Sequence, residues 1–381
     1  MIDPKSHETL KASLTQRIQQ DRFLLDQLRE EVRPLAGGVR HIQPRNSTAI
    51  SLVATDGGNT QVQFDPFLIQ LVRVVDSSNN QHYLDVITPS TNIDALSAAQ
   101  FHTPKGPTAL GQMMSQLGVT HLSQLSYIFP DPVSDRAPNA RWVEVYRELV
   151  EWAVLFAIIR TNTFGSDTLI VFDGLLRSKV FRGHLFRNYL QLIVEAMNQH
   201  YRQKRRIYLV GVAKHSKVLS RYRLAMALEK VLLTRYPAYV EVPRELEEKA
   251  YTHADYARGD DIALPTERLN RFVGGKMFFV KFGNRPQDPI WPVDIFLPQH
   301  KEAPVILGHL LADAANGFPV PFYPLCLQRA HENAALVNFD YSLLQDNILD
   351  SIRHILGDES VDLDVFRLQD MDPAQERYAF E

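Results

Sequence analysis

The stretch SLVATDGGNT (residues 51–60) decides how this chain is built. A run of apolar residues leads into an aspartate followed by two glycines, and the chain does much the same in LIVFDGLL (169–176). A continuous apolar run predicts a buried strand, and a glycine lets the chain turn sharply and a ligand approach the backbone. We therefore expect Asp56 and Asp173 to stand at the ends of two buried strands.

The runs around these motifs predict a mixed sheet. AISLVAT, TQVQFDPFLIQLVRVVD and HYLDVIT are β-prone and predict an antiparallel meander. Further along, TLIVF and IYLVGVA alternate with helical segments, which implies parallel pairing in the same sheet, and KMFFVKF and VDIFLP predict more strands. We expect an α/β fold with a sheet of five to six strands flanked by helices. In such a sheet Asp56 and Asp173 can lie side by side.

Helical periodicity and polar interruptions predict the remaining organisation. Helices are expected at 4–33, at RWVEVYRELVEWAVLFAIIR (141–160), and at about 184–202, 217–234, 302–315 and 328–353, with a short strand near Phe322. The polar segments 89–140 and 236–275 are interpreted as insertions, the first running over the surface. This divides the chain into an N-terminal helical arm (1–45), a main domain (46–353) and an acidic tail (354–381).

Composition excludes several classes of protein. The chain has 381 residues, of which 45% are hydrophobic and 22% charged, as in an ordinary globular protein. A net charge of −3 excludes a uniformly basic nucleic-acid coat but not a local basic groove. Cys326 is the one cysteine, so no intramolecular disulfide is possible and a reducing compartment is expected. Because MIDPKSHETLKAS lacks an apolar core and no uncharged run reaches about 18 residues, we expect a cytoplasmic protein without membrane insertion.

Two aspartates at adjacent strand ends predict a cation site. Mg²⁺ and Mn²⁺ prefer hard oxygen ligands, which carboxylates supply. The alternative is that each Asp-Gly is simply a turn. The helix at 141–160 offers a third carboxylate, because Glu144, Glu148 and Glu151 share one of its faces. That face becomes apolar just after Glu151, so we expect Glu151 to be carried inward and the other two glutamates to be solvated.

Basic segments follow the second Asp-Gly motif and the next strand. LLRSKVFRGH, RQKRR and AKHSKVLSRYR could contact a phosphate backbone, although RQKRR alone is more typical of a solvated helix end. Lys214 leaves its strand much as Asp173 does and is a candidate for a phosphate near the metals. The candidate contacts to the nucleic-acid backbone are Arg177, Lys179, Lys214, Lys217 and Arg221.

The stretch PFYPLCLQRAHENAAL (321–336) adds two candidates. Tyr323 is expected at the short strand and His331 in the first turns of the last helix. A lone tyrosine usually packs, and a lone histidine is usually structural. Close to a metal site, the pair could bind phosphate or move protons.

Taken in order, ATDGG, a glutamate-bearing helix, IVFDGLLRS, VGVAKHSK and FYPLCLQRAHENAAL resemble the motifs of the NurA nucleases, from about residue 48 to 340. The resemblance implies an RNase H-like core and a homodimer enclosing a DNA channel. It also implies manganese-dependent degradation of DNA by 5′ to 3′ exonuclease and single-strand endonuclease activities. Such enzymes act in DNA end processing and repair beside a hexameric HerA-type translocase.

The same resemblance assigns roles to residues of this chain. It implies two Mn²⁺ ions, with Mg²⁺ as a possible substitute, held by Asp56, Glu151, Asp173 and His331. Lys214 and Tyr323 complete the catalytic set that it implies. Two features depart from the family pattern: Gly58 stands where a serine often follows Asp-Gly, and the segment 89–140 is inserted.

Two other functions fit the residues. The chain could be a non-catalytic DNA-binding adaptor of a translocase, with the aspartates serving only as turn residues. It could instead be a metal-dependent hydrolase of small phosphoesters. The basic segments 202–206 and 214–223 favour a polymeric substrate over a small one.

Overall fold

A computed structural model describes residues 4–45, 51–64, 67–104, 106–129, 141–251, 271–335 and 338–357. Its strands form one nine-stranded sheet in the order β1-β7-β8-β9-β6-β5-β2-β3-β4. The strands are β1 Arg40–His41, β2 Ser51–Phe64, β3 Phe67–Asp76, β4 Gln81–Ile87, β5 Thr168–Asp173, β6 Ile207–Val212, β7 Ala238–Glu241, β8 Gly275–Lys281 and β9 Ile290–Phe296.

Five of these strands form the expected RNase H-like core. β2, β3 and β4 make an antiparallel meander, β5 lies parallel to β2, and β6 lies parallel to β5. The α/β fold class is confirmed. The sheet then continues beyond β6 through β9, β8, β7 and β1, all antiparallel, and is wider than the five to six strands expected. The two-residue β1 and four-residue β7 are too short to show a periodicity.

β2 differs from its prediction at the Asp-Gly motif. The strand does not end at Asp56 but continues to Phe64, so the prediction of a turn there was wrong. Gly57 and Gly58 remain in the antiparallel ladder with β3, opposite Val74 and Arg73. Only the pairing of β2 with β5 ends near Asp56.

β5 does end where predicted. Its last residue is Asp173, and the next residue, Gly174, has a φ of +126°. This backbone conformation is one that glycine adopts and side chains disfavour. The second Asp-Gly motif is therefore a true strand end, confirming that part of the prediction.

Helices cover both faces of the sheet, and within the described ranges none is long and apolar enough to cross a bilayer. They are α1 Pro4–Gln20, α2 Arg22–Val32, α3 Ile93–Ala99, α4 Ala109–Gln116, α5 Leu122–Leu125, α6 Arg141–Thr161, α7 Leu185–Arg202, α8 Lys217–Leu228, α9 Arg244–Tyr251, α10 Ala303–Ala314, α11 Leu325–Ala334 and α12 Asn338–Leu356. Two 3-10 helices lie at Arg33–Gly38 and Leu297–Glu302.

Some predicted helix boundaries were wrong. The arm at 4–33 is two helices that meet at Asp21, and the helix expected at 328–353 is divided into α11 and α12. No strand forms near Phe322, which lies in a turn with a φ of +57°. The segment 236–275 holds β7 and α9, while its residues 252–270 lie outside the described residues. The acidic tail from 358 onward lies outside them too.

The segment 89–129 is part of the core and does not run over the surface. Its helices α3 to α5 pack with α6, and Leu110, Met113 and Met114 of α4 are fully buried beside Trp142 and Tyr146 of α6. The prediction was wrong because the polar loops mask short amphipathic helices. The rest of the segment, 130–140, lies outside the described residues.

β5 is buried on both faces, which explains its continuous apolar sequence. Ile170 and Phe172 pack into the cluster that contains α6 and α7, whereas Leu169 and Val171 pack into the cluster that contains α10 and α11. Strands buried on both faces lack the polar alternation of surface strands. The carboxylate at the end of such a strand is therefore held by packing on two sides.

Candidate functional site

The parallel ladder between β2 and β5 brings the two Asp-Gly motifs together. Its last pair is Thr55 with Phe172, so the next positions along the two strands are 56 and 173. Neighbouring strands lie about 4.8 Å apart. The backbones at Asp56 and Asp173 are thus level with each other on adjacent strands, as the sequence predicted. The side chain of Asp56 lies outside the described residues.

Asp173 is contacted by two of the other predicted site residues. The Tyr323 hydroxyl donates to Asp173 Oδ1 at 3.2 Å, and Lys214 Nζ lies 3.9 Å from Asp173 Oδ2. Lys214 Nζ also lies 5.8 Å from the centre of the Tyr323 ring. The carboxylate is 19% exposed and the lysine side chain 43%, so both remain accessible to a ligand.

Lys214 and Tyr323 lie on short loops that are held by hydrogen bonds and packing. Lys214 is the second residue after β6, and Ser216 caps α8 by accepting a hydrogen bond from the Leu219 amide at 3.0 Å. Tyr323 is 1% exposed, with its ring 4.8 Å from that of Trp291. The Gln328 side chain donates to the Tyr323 carbonyl at 3.0 Å. The tyrosine is thus a packed residue whose hydroxyl reaches the site.

α6 carries its glutamates past the end of β5. The Trp152 ring stacks on Phe172 with centroids 4.5 Å apart, and the Tyr189 hydroxyl donates to the Trp152 carbonyl at 2.8 Å. Glu151 therefore lies on the segment of α6 that is docked at this strand end. Its side chain is 15% exposed and lies 3.3 Å from Arg147 Nη1, so it is carried inward as expected.

Glu148 was expected to be solvated, and this was wrong. Its Oε1 accepts hydrogen bonds from the Ser178 hydroxyl at 2.6 Å and from Trp152 Nε1 at 3.4 Å. Burial raises the pKa of Glu148 despite these hydrogen bonds and the charge of Arg147. Glu144, by contrast, is exposed as expected. The helical face turns inward one turn earlier than the sequence pattern indicated.

α11 crosses β2 close to the first Asp-Gly motif. Asn333 Nδ2 donates to the Asp76 carbonyl at 3.1 Å, and Arg73 Nη1 donates to the Asn333 carbonyl at 2.9 Å. In the ladder, Arg73 and Asp76 stand opposite Gly58 and Thr55. The helix that bears the exposed His331 is therefore held against the stretch of β2 that contains Asp56.

Arg177, which the sequence suggested as a contact to a nucleic-acid backbone, is bound by carboxylates of the protein. Its guanidinium is bound by both oxygens of Asp294, at 2.6 and 2.7 Å, and its Nη1 lies 2.6 Å from Glu247 Oε2. The Arg177 side chain is only 9% exposed and both carboxylates are fully buried. The sequence carried one signal of this network: Asp294 stands alone in the apolar strand IWPVDIF, and a buried carboxylate needs a partner.

The other predicted basic contacts divide into two groups. Lys179 Nζ lies 4.9 Å from the centre of the Tyr251 ring, and burial together with the charges of Lys217 and Arg177 lowers the pKa of Lys179 to about 7. Lys179 thus lies close to the exposed Lys217 beyond β5 and is only partly protonated near pH 7. Arg221 instead lies over the Tyr222 ring, at the junction with α2, and so faces the arm.

The donor chemistry of the site suits a hard divalent cation. Asp173 and Glu151 offer carboxylate oxygens, and the backbone of Asp56 is level with Asp173. Among the residues that the structure describes, no group of three or more His, Cys, Asp or Glu side chains forms a metal-binding cluster. The side chain of Asp56 is not among the described residues.

Comparisons with known proteins bear on the fold. No family model matches the chain, and no curated protein is significantly similar to it in sequence. Its fold is similar to that of the NurA nuclease from Sulfolobus solfataricus, at 12% identity over 93% of this chain and 98% of the other, with a TM-score of 0.44. Another NurA structure matches at 12% identity over 94% and 99%, with a TM-score of 0.46. A structure of NurA bound to dAMP and manganese matches at 11% identity over 88% and 94%, with a TM-score of 0.42.

The sequence motifs resemble the family to which these structures belong. Identities and TM-scores this low leave the function to be argued from the residues of this chain.

Replacing Glu148 by glutamine should make stability less dependent on pH. A carboxyl group whose pKa is raised on folding stabilises the protein below its unfolded pKa, near 4.5, and this contribution is lost as the pH rises through the folded value. The quantity to follow is the Tm of Glu148→Gln minus the Tm of the unmodified protein at the same pH. We expect this difference to be larger at pH 8 than at pH 5. Thermal unfolding followed by circular dichroism measures this.

Glu195→Gln is the matched control, because Glu195 is exposed on α7. Its Tm should track that of the unmodified protein at both pH values. A Glu148→Gln variant whose relative Tm stays flat or falls with pH would show that folding does not raise the pKa of Glu148.

Proposed function

We propose that this chain is a metal-dependent nuclease that hydrolyses phosphodiester bonds of DNA. The observation that carries the proposal is the register of β2 with β5, which sets Asp56 and Asp173 level on adjacent strands. If Asp173 were only a turn residue, it would not need a second aspartate position beside it. It would also not need Lys214 and Tyr323 in contact with its carboxylate. Two carboxylate positions, a cation and a hydroxyl at one sheet edge suit phosphoryl chemistry.

The proposed ligands of the metal come from four elements. Asp56 of β2, Asp173 of β5, Glu151 of α6 and His331 of α11 would hold two Mn²⁺ ions, which Mg²⁺ could replace. Divalent ions at such a site lower the pKa of an attacking water and stabilise the leaving oxygen of the phosphodiester. The oxygen-rich donor set of Asp173 and Glu151 agrees with this choice of metal.

The other residues would orient the substrate. The Tyr323 hydroxyl holds one oxygen of Asp173, which fixes the rotamer of that carboxylate. The ammonium group of Lys214 is partly exposed at the same edge and is placed to receive a phosphate oxygen. The exposed Lys217 adds a positive charge beyond β5, which favours a polymer over a small phosphoester.

The finer activity and the partners follow from the family resemblance of the motifs. We propose 5′ to 3′ exonuclease and single-strand endonuclease activities, in a homodimer that works with a HerA-type translocase in DNA end processing. The arm offers a docking surface for such a translocase, because Leu10, Leu14, Ile18 and Phe23 are exposed along α1 and α2.

Replacing Asp173 by asparagine should abolish metal-dependent cleavage while leaving the fold intact. Losing a negatively charged ligand weakens the metal site by several kcal/mol, so we expect cleavage to fall by about two to four orders of magnitude. The measurement is degradation of end-labelled single- and double-stranded DNA with Mn²⁺, Mg²⁺ or EDTA. Cleavage at the unmodified rate by Asp173→Asn, with Glu195→Gln as the control, would contradict the proposal.

Glutamine variants of Glu144, Glu148 and Glu151 on α6 should differ in their rate of DNA cleavage in the same assay. We expect Glu151→Gln to lose cleavage by about two orders of magnitude, because it removes a metal ligand. Glu144→Gln should behave like the unmodified protein, because Glu144 is exposed. Titrating Mn²⁺ in each assay shows whether metal binding is affected. If Glu148→Gln loses cleavage and Glu151→Gln keeps it, the ligand is Glu148.

A further inference from the structure

The loop that follows Asp173, here the bracket loop Gly174–Ser178, is tied down along its backbone. The Gly174 amide donates to the Val212 carbonyl at 2.9 Å, at the end of β6. The Gly274 amide donates to the Leu176 carbonyl at 2.7 Å, and the Ser178 amide to the Phe272 carbonyl at 3.0 Å. The loop therefore spans from the end of β5, over β6, to the start of β8.

The bracket loop and its anchor Asp294 pack closely on neighbouring strands. A Cβ atom on Gly211 of β6 would lie 2.4 Å from the Gly174 carbonyl oxygen. A Cβ atom on Gly275 of β8 would lie 2.6 Å from Asp294 Cβ. Glycine at these two positions lets the loop and the Asp294 side chain rest directly on neighbouring strands.

Arg177 anchors the bracket loop from its side chain. Nε and Nη2 of its guanidinium group donate to the two carboxylate oxygens of Asp294 on β9, and Nη1 contacts Glu247 on α9. Arg244 also contacts Glu247, at 3.0 Å, but does not touch the loop. A planar guanidinium fits two carboxylates in this geometry, and a lysine ammonium does not.

The bracket loop has a second side-chain contact, to the glutamate helix. The Ser178 hydroxyl donates to Glu148 Oε1 at 2.6 Å, and Glu148 lies one helical turn before Glu151. One short loop thus follows Asp173 directly, is anchored at Arg177, and contacts α6 through Ser178. Of the two described carboxylates of the candidate metal site, Asp173 directly precedes the loop, and Glu151 lies on α6 one turn after the glutamate that the loop contacts.

We propose that Arg177 is a positioning residue that sets the separation of Asp173 and Glu151, and with it the affinity of the site for its divalent cation. Arg177 does not contact DNA in this role. The proposal rests on the proposed function, because it takes the two carboxylates to be metal ligands. The proposal gives a reason why Arg177, Asp294 and Glu247 are buried beside an exposed site. Burying any one of these charged groups without a partner would be costly.

The test measures Mn²⁺ binding by the protein without DNA. The readout is the electron paramagnetic resonance signal of the Mn²⁺ that remains free. Replacing a residue that orients a metal ligand weakens metal binding by about 10- to 100-fold. We expect Arg177→Lys to bind Mn²⁺ about tenfold more weakly at a temperature where circular dichroism shows it folded. Ser178→Ala, which frees α6 from the loop and keeps the ion network, should weaken binding by a smaller factor.

Two controls separate positioning from loss of stability. Arg244→Lys alters the same ion network without touching the bracket loop, and Met226→Ala opens a cavity in the core between α8 and the sheet. Both should lower the Tm and leave Mn²⁺ affinity unchanged. If they weaken binding as much as Arg177→Lys does, Arg177 acts only through stability and the positioning role is wrong.

The outcomes also separate this proposal from the one on which it rests. If the unmodified protein neither binds Mn²⁺ nor cleaves DNA, both proposals fall. If it binds Mn²⁺ and cleaves DNA, while Arg177→Lys and Ser178→Ala bind the ion as tightly, only the positioning role falls. Should Arg177→Lys not fold, Ser178→Ala alone decides, and unchanged affinity in that variant overturns the proposal.

Discussion

The parallel pairing of β2 with β5 is the constraint on which the rest of the site depends. It ends at Thr55 and Phe172, and so brings two aspartate positions level at one edge of the sheet. A one-residue slip of either strand would reverse which face every side chain meets. Packing opposes that slip, because Ile170 and Phe172 fit one helical layer while Leu169 and Val171 fit the other.

A carboxylate site is unstable by itself, and the surrounding groups show how this chain offsets the repulsion. Lys214 and the Tyr323 hydroxyl each contact one oxygen of Asp173. Burial raises the pKa of Glu148, which favours its uncharged form beside the site. Farther back, Arg177 and Arg244 together offset the charges of the buried Asp294 and Glu247, at the cost of desolvating these groups. Removing such a partner outright typically costs about 3–5 kcal/mol, so the network and the fold are closely coupled.

Much of this could be predicted from the sequence, because β5, β6 and α6 are long or continuous enough to show their pattern. The level placement of positions 56 and 173 followed from that pattern. The course of β2 did not, since Gly57 and Gly58 are read as a turn locally but are held in the ladder by β3. Arg177 and Glu148 were misjudged for a related reason. Their partners, Asp294 and Ser178, come from elements whose position only the tertiary fold determines.

Anomalous diffraction from crystals of the protein soaked in Mn²⁺ tests the central claim most directly, because it locates the ions without assuming an activity. The account predicts two peaks about 4 Å apart where the pairing of β2 with β5 ends, with Asp173 among the ligands of at least one. Peaks confined to other surfaces, with none at Asp173, would contradict it.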